Sequence, residues 1–290
     1  MILASNGIIA SSISNGPPLL LDTYPSALAA YSVRKLRTAY TGNAIRVRRS
    51  SDNTEQNIGF SGNNLDTSSL ATFCSGTNGF VTTWYDQSGN GTNATQPTAV
   101  RQPQIVTSGT VDTLNAKPVI RNPQRDVIRL LNVPLSTLRP RPLSIIAAGK
   151  IYQLTVNIDS FHLGGTAASG GGSRYEFYSG GVVGFATGRR NTSGSTSVIN
   201  GAFSTNPFIQ GGYYGSSLLT GRFNGNNVST AISDTNQFNT ASDFTLLGGN
   251  PDQPFFFSEV GFFEFVFYAS DQTSNATGIE NNINSYYSIF

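Results

Sequence analysis

Apolar positions in this chain recur mostly with the two-residue period of strands, in short runs cut by Gly, Asn, Ser and Asp. Phe80–Tyr85 is the clearest run. Phe80, Thr82 and Trp84 alternate with Val81, Thr83 and Tyr85, and all six are β-branched or aromatic, as a strand packed on both faces requires. Asp86-Gln-Ser-Gly89-Asn-Gly91 then supplies residues that tolerate φ > 0 and bond their own backbone. Ile45–Arg48 alternates as a half-buried strand. Further strands are expected at Pro118–Arg121, Leu143–Lys150, Arg174–Tyr178, Val182–Ala186, Phe208–Tyr214, Leu218–Phe223, Phe244–Leu247 and Val260–Phe267.

Helical spacing is confined to three places. Ala29, Val33, Leu36 and Tyr40 follow Pro25 at i, i+4, i+7 and i+11, which predicts an amphipathic helix over 26–39 stopped by Gly42. Leu65–Phe73 reads as a short helix with Asp66 and Thr67 available as caps, and Thr273–Tyr286 as a closing helix. Gly164–Gly172 is the most Gly-rich loop, and with no helix pattern after it the logic of a phosphate cradle is missing.

Residues 1–22 read as an arm, because their short apolar pairs are separated by Ser, Asn, Gly and Pro17-Pro18 and cannot bury themselves. The arm is expected to pack on its own domain, on a neighbour or in a larger assembly. Residues 23–290 show no fixed repeat and no break in composition, so they are expected to form one domain. Many strands, dense turns and few helices argue an all-β, two-sheet sandwich.

Composition narrows the setting. Charged residues are 12% of the chain, about half the usual share, and Gly, Ser, Thr and Asn take their place. Such surfaces suit extracellular and virion β-proteins. A formal charge of +2 is too small to imply nucleic acid. Arg34, Lys35, Arg37, Arg46, Arg48 and Arg49 still crowd one region, either as a solvated face and guarded strand edge or as a contact for phosphate, acidic glycan or an acidic subunit. Cys74 is the only cysteine and His162 the only histidine, so an internal disulfide is excluded, zinc is disfavoured, and His162 reads as structural. The N-terminus lacks the regions of a signal peptide, and no apolar run approaches a membrane span. A virion protein made in the host cytoplasm and released by lysis would reconcile an extracellular surface with that start.

Three blocks carry a family resemblance: Ala30–Phe60, Thr72–Gln96 with its YDQSGNG string, and Phe244–Tyr287. They resemble the concanavalin A-like (laminin-G-like) sandwich of the α-L-arabinofuranosidase B catalytic domain and its bacteriophage relatives. The resemblance covers about half the chain and implies a jelly-roll sandwich. It also implies a retaining mechanism, which needs two carboxylates about 5 Å apart. The family's acid/base Asp follows a Leu-Gly-x-Gly-Gly turn, and here Leu247-Gly248-Gly249 leads into Asn250, a carboxamide that cannot shuttle a proton. Asp252 stands two residues on. The family's nucleophile falls near Ser179, with Glu176 three residues earlier and so on the opposite face of a strand. The family's vicinal Cys-Cys corresponds to Asp159-Ser160, and the disulfide partner of the Cys74 position corresponds to Gly79. These departures imply a scaffold without catalytic residues.

Other constellations leave alternatives open. Asp86, Asn90 and Asn93 could offer oxygens to calcium, although an Asx-type turn is the expected reading and no cofactor is expected. Tyr213-Tyr214 and Trp84-Tyr85 could stack on sugars or fill the core. Phe255-Phe256-Phe257 could line the core or form an assembly patch, and Glu264 either faces solvent or is buried with a partner. Asp86, Asn90, Tyr213, Asn250 and Asp252 are the carbohydrate-binding candidates. The sequence thus leads to an expectation of a non-enzymatic, homo-oligomeric virion protein (capsid decoration, collar or tail fibre). It would be joined to other virion proteins through its arm and display a lectin-like domain for host-glycan adhesion. The alternatives are a glycan-cleaving depolymerase or glycosidase using Asp252 and Glu176 or another carboxylate, or a free carbohydrate-binding module.

Overall fold

The computed structural model describes residues 18–123, 131–134, 142–152, 160–165, 174–180, 184–191, 194–202, 204–231, 244–247 and 259–290. The described residues form an all-β sandwich with short helices. In the first sheet the Val260–Tyr268 strand is the spine. Ala29–Ser32 and Ile120–Asn122 share one of its edges, and Leu143–Ile151, Phe208–Tyr214, Leu218–Phe223 and Asn226–Ala231 follow from the other. In the second sheet the order is Glu55–Ile58, Ile45–Arg49, Gly79–Trp84, Ala94–Thr95, Leu131–Val133, Phe244–Leu246, Ser160–Gly165, Arg174–Gly180, Gly184–Asn191 and Gly194–Gly201. All these pairs are antiparallel. Gln104–Thr107 pairs with both Gly79–Trp84 and Ile120–Asn122 and so joins the layers.

Contacts between the layers explain the small residues of the 208–214 strand. A Cβ at Gly212 would lie 2.7 Å from Phe177 Cε1 and 2.8 Å from Thr187 Cγ2, side chains of the opposite sheet. Gln210 Nε2 donates across the gap to Thr187 Oγ1 at 3.2 Å. At the other end of the core, Trp84 meets Tyr31 and Phe265, with ring centroids 6.0 Å apart in each pair. Aromatic side chains thus supply much of the buried apolar area.

The helix expected over 26–39 does not form. Ala29–Ser32 is a strand paired with Glu264–Phe267, and all four of its residues are buried. An amphipathic helix needs a polar face in water, and here both faces are covered. Donors beyond the strand are also taken, since Val33 N bonds Phe263 O and Leu36 N bonds Gln87 Oε1. Within the expected arm, residues 1–17 lie outside the described residues. Leu20 and Leu21 belong to the core, and Leu21 N bonds Leu36 O at 2.8 Å, so this end packs on its own sandwich. The other two helices form as expected. Asp66 caps Thr67–Phe73 by accepting from Ser69 N and Oγ. Ala276–Tyr287 covers the outer face of the first sheet, with Tyr287 stacked on Phe263.

Glu264 resolves in favour of burial with a partner. Its carboxylate is fully buried and accepts from Arg34 Nε at 2.8 Å, Arg34 Nη2 at 3.1 Å, Ser32 Oγ at 2.8 Å and Tyr287 OH at 3.2 Å. Arg34 Nη2 also donates to Asn282 Oδ1 at 2.9 Å. One network therefore ties the first strand, the last strand and the last helix together. Arg222 and Glu280 form a second such pair at 2.8 Å between the first sheet and that helix.

Two predictions follow from these contacts. Replacing Glu264 by Gln strands the buried Arg34 charge and is expected to cost about 3–5 kcal/mol in urea denaturation, whereas Arg34→Met with Glu264→Leu together should cost less than the single change. A double variant as unstable as the sum of the singles would contradict the network. Separately, a Cβ at Gly79 would lie 2.8 Å from Cys74 Sγ, beside Val106. Burial pushes the Cys74 thiol up to about 11, so it is unreactive in the native protein. Gly79→Cys is expected to close a short disulfide with Cys74, seen as no free thiol after non-reducing denaturation, with a gain of at most about 2 kcal/mol.

Candidate active site on the outer face of the second sheet

Antiparallel pairing puts directly opposed residues on the same face, so the register of the second sheet sorts its residues into two rows. One row reads Val198, Thr187, Phe177, Leu163, Leu246 and Leu131. Phe177, Thr187, Leu246 and Leu131 are fully buried, which makes this the core side. The adjacent row reads Ser197, Gly188, Glu176, Gly164, Thr245, Asn132, Thr95, Thr83, Arg46 and Asn57. Every member is polar or Gly. Thr95 and Asn57 in this row are exposed and Thr245 is fully buried, so the row lies on the face away from the core residues and is partly covered.

Glu176 is the carboxylate of that row. It pairs with Gly164, which pairs with Thr245, so two strand spacings, about 10 Å of backbone, separate Glu176 from Thr245. Ser179 pairs with Ser160 and has the parity of Phe177, the core parity. Glu176 has the other parity of that strand.

The 244–246 strand ends in strain. Leu247 is fully buried and has φ 68°, a left-handed conformation that is uncommon for a leucine. Such strain concentrates where a structure fixes a functional loop. The segment it opens carries Asn250 and Asp252, and both lie outside the described residues, as do Asp159 and Phe255–Phe257. Leu247 thus directs the chain into the candidate acid/base segment from a strand that also contributes to the Glu176 row.

The remaining candidates serve the scaffold. Asp86 is buried and its carboxylate accepts from Ala30 N, Ser88 N, Ser88 Oγ and Thr92 N at 2.7–3.1 Å. Asn93 Oδ1 accepts from Asp86 N, and the Asn90 amide donates to Ala27 O and Leu28 O. Oxygens committed to N–H donors are those of an Asx-type turn, and this turn pins the 29–32 strand. Among the described residues no group of three or more His, Cys, Asp or Glu could hold a metal ion. Tyr213 is 1% exposed, on the face of its strand opposite Gly212, and Trp84 is fully buried. Five of the six basic residues are partnered: Arg34 with Glu264, Arg37 with Ser88 O, Arg46 with Glu55, Arg48 with Gln102 and Asn53, and Arg49 with Asp52. Among the described residues no helix is long and apolar enough to cross a membrane.

Sequence reasoning missed that Thr245, Asn132 and Thr95 lie in one cross-strand row with Glu176. The strands 94–95, 131–133 and 160–165 are short or Gly-rich, and only the register reveals that their polar members line up.

Comparisons with known proteins bear on what the sandwich resembles. Residues 22–126 match the family model "Alpha-L-arabinofuranosidase B, catalytic". No curated protein matches the chain in sequence. Among solved structures, an arabinofuranosidase complexed with arabinofuranosyl-α-1,2-xylobiose matches at 20% identity with a TM-score of 0.67. A GH54 α-L-arabinofuranosidase soaked with a cyclic sulfate inhibitor matches at 18% identity, also with a TM-score of 0.67. Each match covers 92% of this chain, and the chain spans 64% of the matched one. The ligand-binding domain of botulinum neurotoxin serotype D, in complex with N-acetylneuraminic acid, matches more weakly, at 12% identity and a TM-score of 0.50 over 71% of this chain and 48% of that one. The expectation of a non-enzymatic virion protein is corrected by these findings, because what matches is a glycosidase catalytic domain in sequence and glycosidases in structure. The chain carries a β-sandwich related to the catalytic domain of α-L-arabinofuranosidase B.

Proposed function

We propose that the chain is a retaining glycosidase of the arabinofuranosidase kind, with Glu176 as nucleophile and Asp252 as acid/base. Strand register supports this reading: Glu176 has the parity opposite to buried Phe177, and its row reaches Thr245, on the strand that precedes Asp252 in sequence. A retaining mechanism asks for two carboxylates about 5 Å apart. Asn250 at the family's acid/base position stays a hydrogen-bond donor and acceptor, while the proton passes to Asp252. The sugar class follows from the matched proteins, whose names give arabinofuranosyl substrates.

Hydrolysis of 4-nitrophenyl α-L-arabinofuranoside tests the proposal. Wild-type protein is expected to turn over, with kcat reduced about 10²–10⁴-fold in both Glu176→Gln and Asp252→Asn at unchanged thermal stability. Full activity in either variant would remove that residue from the mechanism, and an inert wild type would remove the activity.

A further inference from the structure

A second polar cluster lies on the opposite outer face, that of the first sheet. Arg121 pairs with Gly261, and Gly261 pairs with Lys150, so one cross-strand row sets the two cations on either side of a glycine. The neighbouring pair Ile120 and Phe262 is buried and belongs to the core. Gly261 leaves the floor open for Tyr152. A Cβ there would lie 3.1 Å from Tyr152 Cε2 and OH, and 2.9 Å from Val119 Cγ2. Arg121 sits over the Tyr152 ring with Cζ 4.5 Å from its centroid, and Lys150 Nζ is 5.1 Å from the same centroid. Asp112 and Glu259 complete the group.

The bonding in this cluster is incomplete. Arg121 Nη1 stands 3.7 Å from Asp112 Oδ1, and Nη2 stands 3.5 Å from Glu259 Oε1, both beyond a good hydrogen bond. Asp112 Oδ1 accepts from Thr107 Oγ1 at 2.8 Å. Asp112 Oδ2, Arg121 Nε and Tyr152 OH are buried and have no hydrogen-bond partner. The Asp112 side chain is 10% exposed. Buried polar atoms are normally satisfied, and three orphans within one cluster call for an occupant. Desolvation raises both the Asp112 carboxyl and the Tyr152 phenol, which fits groups that await a partner.

The chemistry of the occupant follows from charge and valence. Two cations, Arg121 and Lys150, face two carboxylates, Asp112 and Glu259, so a charged ligand gains no net attraction. The unused groups comprise an acceptor at Asp112 Oδ2, a donor at Arg121 Nε and a hydroxyl at Tyr152 that can be either. A neutral polyol satisfies all three kinds at once, because each of its hydroxyls both donates and accepts. We propose that Asp112, Arg121 and Tyr152 form a secondary binding site for a neutral sugar residue, on the side of the sandwich opposite the Glu176 row. Such a site would hold a polysaccharide chain while leaving the other face free, and gain affinity through a second point of attachment.

Calorimetric titration of the full chain with xylotriose tests this, with trigalacturonate as the charged comparison. Saturable binding of xylotriose is expected, weakened about tenfold or more in Tyr152→Phe and in Asp112→Asn, as loss of one partner of a buried hydrogen bond predicts. Thermal stability and hydrolysis of the small chromogenic arabinofuranoside should stay unchanged in both variants. Absence of saturable binding, meaning that only water fills the cluster, would overturn the proposal. So would xylotriose binding that is indifferent to both variants, or tighter binding of trigalacturonate. Glu176→Gln is expected to leave this binding intact, so failure here and failure of the catalytic reading are distinguished.

Discussion

The strict alternation of antiparallel pairing is the constraint on which this molecule depends. Because successive residues of a strand face opposite ways, the pair registers of the second sheet, together with its shifts at Arg46/Val47, Phe161/Leu163 and Phe185/Ala186, set which residues share a face. A slip of one residue at the 160–165 strand would send Glu176 to the core and Phe177 to water. Burial of Phe177, Thr187, Leu246 and Leu131 is therefore what holds the polar row on the outside.

A chain with few charges uses several of them indoors. Glu264 with Arg34, and Glu280 with Arg222, are buried pairs with multiple hydrogen bonds, and each ties the closing helix to the first sheet. Pairs of this kind add little net stability compared with apolar packing of the same shape. Their effect here is placement. The helix Ala276–Tyr287 covers the middle of the first sheet's outer face, and the Asp112–Arg121–Tyr152 cluster lies on that same face beyond Phe263. Both outer faces of the sandwich thus carry polar groups, while the rings of Trp84, Tyr31, Phe265 and Phe208 fill the interior.

Much of this was legible in the sequence. Long strands with clean alternation, such as 79–84, 208–214 and 260–268, stood out, as did the Asp86 turn, whose residue types dictate its bonds. The 26–39 segment misled because a strand buried on both faces can mimic helical spacing over a dozen residues. The strands 55–58, 131–133 and 194–201 carry Asn, Gln, Ser and Gly, and only pairing with neighbours makes them strands. The candidate site was half visible. Glu176 and Asp252 were noted as carboxylates, but the deciding fact is parity relative to Phe177, and parity requires the register. Asn250, Ser179, Asp159-Ser160 and Gly79 weighed against catalysis in the sequence, whereas residues 22–126 match a glycosidase catalytic-domain model.

The central claim is that Glu176 attacks the sugar, forming a covalent glycosyl-enzyme. An arabinofuranose-configured cyclic sulfate, followed by trypsin and mass mapping, tests this directly. Cleavage after Arg174 and Arg189 releases a peptide in which Glu176 is the only carboxylate side chain. A single adduct on that peptide is the predicted result. An adduct elsewhere, or none at saturating reagent, would contradict the account.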